Sequence, residues 1–579
     1  MKICPFVIKL FSIAIIAIFL SLTLLNRIAF AAPPLPGSVY PALVPKNYLP
    51  GRGPSILPKP VPKATVAQEK VNSLGTEAEK IRFKLIKIIF EGNHTYSENQ
   101  LFPLYKKKIN TLISIAELQD IVQNVTNFYR NNGYILSRAI IPPQHVKNGV
   151  IRIRVVEGYI DKVKVVGNAR GAQALLLAYG EKISEAHPLQ IKVMDKYLRL
   201  ANEIPGVQVK AVLEPSKTQL GASDLNLAVQ EQMANATLSY DNYGTLYIGP
   251  LQVTTTASVN SIFLSGDSTR ATYLMATHGK QLHYFDLAYQ APLGSHGLQL
   301  TFDGNQSLTA PGLTLQPLQT QGKANTYYAT LQYPVIRSRS EDLTLDSNFT
   351  YMDSSTTLFN RAILLYRDHV RSINIGGTYS FADRFNGTTL SALHIEKGLN
   401  ILGASNDPTS IITSRFGADG IYTKIYGQIG RVQPFLNRFS LYVLASGQYA
   451  FNPLLSSEQF GFGGSQVGRG YDPAEILGDR GAGGTIELRM DTYPQRLMVQ
   501  SMQFYTYYDT GVIWNIKNVA NTKQKQSAAS TGAGVRFALS KLLTGNLMYT
   551  QVLTRSIASE SLIGRGRTPR IFFSLTAAV

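Results

Sequence analysis

The side chains in this sequence best suited to a specific polar task are an arginine and an aspartate. Arg469 lies in a glycine-rich run, FGFGGSQVGRGYDPAEILGDRGAGG, that extends from Phe460 to Gly484. Its immediate setting is Gly468-Arg469-Gly470-Tyr471. Asp509 follows later, in Tyr507-Tyr508-Asp509-Thr510-Gly511. A guanidinium is planar and meets a carboxylate with two parallel hydrogen bonds, so this pair could hold one segment of chain against another. The chemistry implied is that of a latch.

The elements that must position these residues are alternating segments. Before the glycine-rich run, FSLYVLASGQYAF sets Phe439, Leu441, Val443 and Ala445 against Ser440, Tyr442, Ser446 and Gln448. After it, GTIELRMD sets Gly484, Ile486, Leu488 and Met490 against Thr485, Glu487, Arg489 and Asp491. In MQFYTYYDTGVIW, Met502, Phe504, Tyr508, Val512 and Trp514 oppose Gln503, Tyr505, Tyr507, Asp509 and Gly511. A period of two marks strands with one apolar and one wet face. Charges at every second position exclude a dry core and fit a transmembrane barrel whose inner wall meets water. Lys424 (from GIYTKIYGQIG), Glu487, Arg489 and Asp509 are therefore expected to face the lumen. The loop 452–482 is expected to fold inward.

The same character persists from Ala234 to Val579. About sixteen candidate strands, at roughly 21 residues per strand and connection, fit the even count of single-chain bacterial barrels. The last, RIFFSLTAAV, places Ile571, Phe573, Leu575, Ala577 and Val579 on one face. A soluble all-β fold competes, but its strands are usually shorter. The fold class expected is a pair of α+β modules followed by an all-β antiparallel transmembrane barrel.

The chain has 579 residues and begins with Lys2 and Lys9, an apolar run from Leu10 to Leu25, and Ala29-Phe30-Ala31. That pattern predicts a secretory signal peptide over 1–31. The run is shorter than the roughly 20 residues a spanning helix needs. Cys4, the sole cysteine, lies within that segment, so no disulfide is expected. The formal charge of +19 is spread along the chain. For an exported protein this points to lipopolysaccharide or unfolded polypeptide as partner, and away from nucleic acid.

Residues 32–80 form a leader in which prolines recur from Pro33 to Pro62, so neither helix nor sheet is expected there. A short helix is expected at Ala64–Leu74. Two modules of strand, helices, strand, strand then follow, over 81–159 and 160–233. In the first, a strand at Phe83–Glu91 precedes a helix opened by the capping box Ser114…Glu117, with Leu118, Ile121, Val122, Val125 and Phe128 on one face. Strands at Ser137–Ile141 and Val150–Glu157 complete it. The second has a strand at Lys162–Val166, a helix at Ala172–Tyr179, another after Pro188 with Ile191, Met194 and Leu198 inward, and strands at Val207–Leu213 and Asp224–Glu231.

Enzymatic signals are weak. Gly266-Asp267-Ser268 has the order of an esterase signature but lies in SGDST, a turn-like setting before a strand. The eight histidines lack metal-ligand spacing. No metal, cofactor or catalytic residue is expected.

The order of signal peptide, two such modules and barrel resembles the outer-membrane transporters of two-partner secretion, the TpsB family. Its polypeptide-transport-associated (POTRA) modules and barrel place it in a superfamily shared with the central barrel-assembly protein. GYILSRAIIPPQHVKNGVIRIRVVEG (Gly133–Gly158) is similar to the end of that family's first POTRA module, and Asp241-Asn242-Tyr243-Gly244 to its opening barrel strand and turn. The resemblance implies that Arg469 contacts Asp509 inside the barrel, on the thirteenth strand, with Gly468, Gly470, Tyr471 and Gly511 completing the two motifs. Gly468 departs from the family's usual valine.

Members often carry a plug helix, which the prolines would exclude over Pro33–Pro62, leaving Ala64–Leu74 or none. The chain ends in valine rather than an aromatic residue, so recognition by the barrel-assembly machinery would rest on Phe572 and Phe573. The function implied is export of a secreted TpsA-type client by a monomer in the outer membrane, without ATP. Its periplasmic modules would capture the client at Ile115–Asn132 and Ser137–Ile141, through Leu118, Val122, Val125, Ser137, Ala139 and Ile141. An assembly factor of the same superfamily is the alternative, and a passive porin leaves the modules unexplained.

Overall fold

A computed structural model describes residues 35–48, 65–66, 81–219, 221–277, 281–494, 499–516 and 524–578. The signal-peptide reading, most of the leader and Val579 lie outside the described residues. Both modules show the expected order. In the first, Lys87–Glu91 runs parallel to Val150–Val156, which pairs antiparallel with Arg138–Ile140. The helix Ile115–Asn131 closes over that sheet. Its capping box forms in both directions: Ser114 Oγ accepts from the Glu117 N–H at 3.1 Å, and a Glu117 carboxylate oxygen accepts from the Ser114 N–H at 2.9 Å. Leu118, Ile121, Val122, Val125 and Tyr129 are buried against the sheet.

The second module sets helices Gln173–Ser184 and Ile191–Glu203 on a sheet of Val207–Pro215, Ala222–Glu231 and Tyr159–Asn168. A fourth strand, Thr65–Val66, joins that sheet from the leader, where a helix was expected. This module docks on turns at one end of the barrel. Arg199 meets Asp342 at 2.5 Å, Glu203 meets Arg337 at 2.9 Å and Asp195 meets Arg339 at 3.0 Å.

Sixteen antiparallel strands close into a barrel, from Ala234–Asp241 to Arg570–Ala578. Outward side chains such as Leu345, Ile375, Leu393, Ile395 and Ile486 are half exposed or more, as a lipid-facing band requires. Lys424, Thr485, Glu487 and Asp509 point inward and are buried. No helix among the described residues is long and apolar enough to cross a membrane, so the strands do the spanning. The first and last strands pair from Thr237↔Ala578 to Asp241↔Ser574, the shortest ladder in the barrel.

Two segments fill the lumen. One is the connection between Phe439–Ala450 and Arg480–Thr492, the eleventh and twelfth strands, which folds inward as a hairpin of Phe460–Phe462 and Ile476–Gly478. The other overturns an expectation. Residues 37–48 of the proline-rich leader are helical, as turns Gly37–Val39 and Pro41–Leu43 and a short helix Val44–Tyr48. Pro41 and Pro45 each stand in a first turn, where the missing N–H has no partner to lose. The barrel wall supplies the packing that makes so short a helix stable: Val39 and Val44 are buried with Tyr247, Ile248, Leu274 and Tyr284. The lumen-filling segment is therefore 35–48, within the stretch expected to hold no helix; of Ala64–Leu74 only Thr65 and Val66 are described, as a strand of the second module.

Candidate functional site

Arg469 is 6% exposed and Asp509 is 0% exposed, deep in the lumen. Asp509 lies on the thirteenth strand, Ser501–Trp514. Arg469 Nε donates to one Asp509 oxygen at 3.1 Å and Nη2 to the other at 2.9 Å. The same carboxylate accepts the backbone N–H groups of Gly468 and Arg469, each at 2.9 Å. Arg469 Nη2 also donates to Thr485 Oγ1 at 2.7 Å, and Nη1 donates to Glu487. Its guanidinium lies 3.5 Å from the Tyr507 ring centroid. Each of the three guanidinium nitrogens thus has a wall partner, the condition under which a buried cation is tolerated.

The glycines that surround the pair have steric reasons. Gly468 has φ +81°, and a Cβ there would lie 2.8 Å from the Phe462 ring. A valine there would be strained at this backbone conformation. A Cβ on Gly511 would lie 2.2 Å from the same ring, and one on Gly470 would meet Ser530 at 2.9 Å. Bare backbone lets the hairpin press flat against the wall. Tyr471 then donates its hydroxyl to the Ala529 carbonyl at 3.0 Å.

Glu487 gathers two further cations. Arg489 and Arg536 each reach it at 2.7 Å, and they stack on Tyr442 and Tyr505 at 4.2 and 3.9 Å. Arg536 is absent from the sequence reading. Lys424 faces the lumen and meets Glu458 of the inward loop at 2.6 Å and Glu396 of the wall at 3.4 Å. Two more loop carboxylates were missed. Asp479 pairs with Arg415, and Asp472 pairs with Arg570 of the last strand at 2.9 Å. The available signal was the loop itself: it carries Glu458, Asp472 and Asp479, and a carboxylate drawn into a barrel needs a cation on the wall. Between the two lumen segments remains a cavity of about 560 Å³, lined in part by Lys46, Glu396, Lys424 and Glu458.

Other sequence-derived sites sit differently. Leu118, Val122 and Val125 are at most 4% exposed, inside the first module's own core, and Ser137 and Ala139 are buried as well. Ile141 is half buried. Helical periodicity marks the face that packs on the module's own sheet, so Leu118, Val122 and Val125 are not on the surface to meet a client. Asp267 is a turn residue: its carboxylate accepts the N–H groups of Ile262, Phe263 and Leu264. Phe572 points into the lumen and stacks on Tyr243 at 5.5 Å, so of the terminal aromatic pair only Phe573 is left for the outer face.

Known proteins resemble this chain in sequence and in fold. Residues 221–537, more than half of the chain, match the family described as haemolysin secretion/activation protein ShlB/FhaC/HecB. Residues 83–158 match the ShlB-type POTRA domain. The heme/hemopexin transporter protein HuxB of Haemophilus influenzae is 22% identical over 469 residues, covering 79% of this chain and 81% of that protein. The outer membrane transporter CdiB of Dickeya dadantii is 20% identical, covering 78% and 80%. Among solved structures, CdiB from Escherichia coli superposes with a TM-score of 0.70 at 17% identity, covering 88% of this chain and 93% of that one. With its POTRA modules, its sixteen-stranded barrel and its inward loop, this chain belongs to the ShlB/FhaC/HecB family of two-partner secretion transporters in the outer membrane.

Proposed function

We propose that this chain exports one large TpsA-type partner polypeptide, and that the Arg469–Asp509 contact is the latch that keeps its channel shut at rest. The observation that carries this reading is the filled lumen. Residues 35–48 and the loop hairpin occupy it, and the hairpin is fastened by ion contacts that open without unfolding the barrel. A chain entering from the periplasm displaces both and passes through unfolded. No nucleotide drives it: a client that folds outside cannot slide back, so its folding biases the movement. The barrel works as a monomer, placed by the barrel-assembly machinery, with lipopolysaccharide around its outer rim. Activation of the client by its passage belongs to the same reading.

A second reading, an assembly factor for other barrels, is favoured by the short ladder between the first and last strands. Deleting the gene separates the two. Export predicts that one large secreted protein vanishes from the culture medium while other outer-membrane barrels keep their levels. Depletion of many barrels would overturn export in favour of assembly.

A further inference from the structure

The outer wall of the barrel carries a cluster of cations and aromatic rings at the end away from the POTRA modules. Those modules are periplasmic, and the second docks on the turn between Gln321–Arg337 and Glu341–Leu358. The opposite end therefore stands in the outer leaflet. Four adjacent strands reach that end: Phe439–Ala450, Arg480–Thr492, Ser501–Trp514 and Lys525–Ala538. Arg480 is the cross-strand partner of Trp514, and Trp514 of Lys525. Cross-strand partners share a face. By alternation that face is also the face of Ile486, Phe504 and Tyr508, the exposed band that meets lipid.

The Arg480 guanidinium lies 4.0 Å from the Tyr449 ring centroid, and its Nε donates to the Ala450 carbonyl at 3.0 Å. The Lys525 ammonium lies 5.8 Å from the Trp514 ring centroid. Tyr449, Arg480 and Trp514 line an open cavity of about 590 Å³. Among the described residues no carboxylate pairs with Arg480 or Lys525. The lumen is built differently: Arg469, Lys424 and Arg536 each meet a carboxylate there. An aromatic girdle accounts for the rings, since Tyr and Trp suit a boundary that is apolar on one side and wet on the other. It does not account for two unanswered cations beside a cavity. A guanidinium with free Nη groups and a nearby ammonium match a phosphate.

We propose that this cavity is a discrete site for the phosphorylated sugar headgroup of lipopolysaccharide. A phosphate sits between Arg480 and Lys525, and the rings of Tyr449 and Trp514 border the sugar. Ile486 and Tyr508 lie six residues further along their strands than Arg480 and Trp514. That is about 20 Å of apolar wall on which acyl chains can lie. The proposal rests on the outer-rim contact with lipopolysaccharide given above and deepens it by assigning that contact a place. It is independent of which polypeptide the barrel exports.

Trp514 is the sole tryptophan of the chain, so its fluorescence reports this site directly. The test titrates the purified full chain in detergent with bisphosphorylated lipid A, with dephosphorylated lipid A and with phosphatidylglycerol. Bisphosphorylated lipid A is expected to shift the Trp514 emission saturably, and the other two are not. Arg480→Ala with Lys525→Ala is expected to bind about tenfold more weakly, with heat-modifiable migration on a gel unchanged. Lys525→Ala alone, which removes no hydrogen bond within the protein, is expected to lose about threefold. Lys397→Ala removes an exposed cation at the same end, on Thr388–Gly398, and is expected to change nothing. Equal loss with Lys397→Ala, or phosphatidylglycerol binding as tightly as lipid A, overturns the proposal. If lipid A labelled with a fluorophore binds the unmodified chain and the double variant equally, this site falls and the outer-rim contact stands. If that lipid binds neither, both fall. Client appearance in the medium, scored separately, leaves the export reading to be judged by itself.

Discussion

The two segments that fill this barrel are held in different ways. The loop hairpin is fastened by charge: Arg469 to Asp509 and Glu487, Glu458 to Lys424, Asp479 to Arg415, Asp472 to Arg570. The N-terminal segment is held by apolar contact, with Val39, Val44, Tyr40 and Leu43 buried. It adds a few hydrogen bonds to backbone, such as Lys46 Nζ to the Ser457 carbonyl at 2.9 Å. Buried ion contacts are directional and strongly coupled, because removing one partner leaves a charge without compensation. Apolar packing of a short segment is graded and loses its parts one at a time. On the latch reading, the loop is either in or out, and the N-terminal segment withdraws progressively.

The harshest way to break this contrast is Arg469→Ala. It leaves Asp509 buried without its cation, while Glu487 keeps Arg489 and Arg536, a loss of about 3–5 kcal/mol in a dry interior and less beside water. The barrel is expected to insert normally, checked by heat-modifiable migration on a gel, while client export collapses. Arg469→Lys keeps the charge without the fork and should recover only part of the export. Full export by Arg469→Ala would end the latch account.

Deleting residues 35–48 comes next. Conductance in planar bilayers should rise while the hairpin stays home, and export should change less than with Arg469→Ala. Unchanged conductance would show that the segment obstructs nothing. Asp472→Asn is gentler. It weakens one charge-assisted bond to the last strand, of about 1.5–3 kcal/mol, and should lower the melting temperature in detergent without closing export. An unaltered melting temperature would show that this contact does not hold the seam.

The smallest effect is expected outside the lumen and serves as a reference for an exposed charge. The hydrogen bond from Lys108, and then that from the Ser114 N–H, hold the Glu117 carboxyl below its ordinary value. A depressed folded-state pKa contributes stability above the unfolded value, and that stability is lost as pH falls through the folded one. Glu117→Gln should therefore melt slightly below the unmodified chain at neutral pH and level with it in acid. A difference that grows in acid would contradict the assignment.

How much was legible follows from range. Alternation in GTIELRMD and MQFYTYYDTGVIW is local, so it revealed strands, faces and the inward places of Glu487 and Asp509. The capping box at Ser114 and Glu117 is local too. The helical turns at 37–48 were illegible, because a proline-rich stretch has no such tendency until a barrel wall packs around it. Arg536, Arg415 and Arg570 were missed for a related reason: a cation on a strand gives no hint of which loop carboxylate will reach it. Gly468 lies between these cases. The sequence shows a glycine there, and only the approach of Phe462 and the positive φ say why.

Periodicity by itself determined that this chain has a wet-lined, lipid-faced barrel behind two small α+β modules, since a repeat of two or of about four acts between neighbours. What only the tertiary structure decided was which segments occupy the lumen, which charge meets which, and which sheet edge the leader covers. Those depend on groups far apart in the chain brought together by barrel closure, and no local pattern encodes such a meeting.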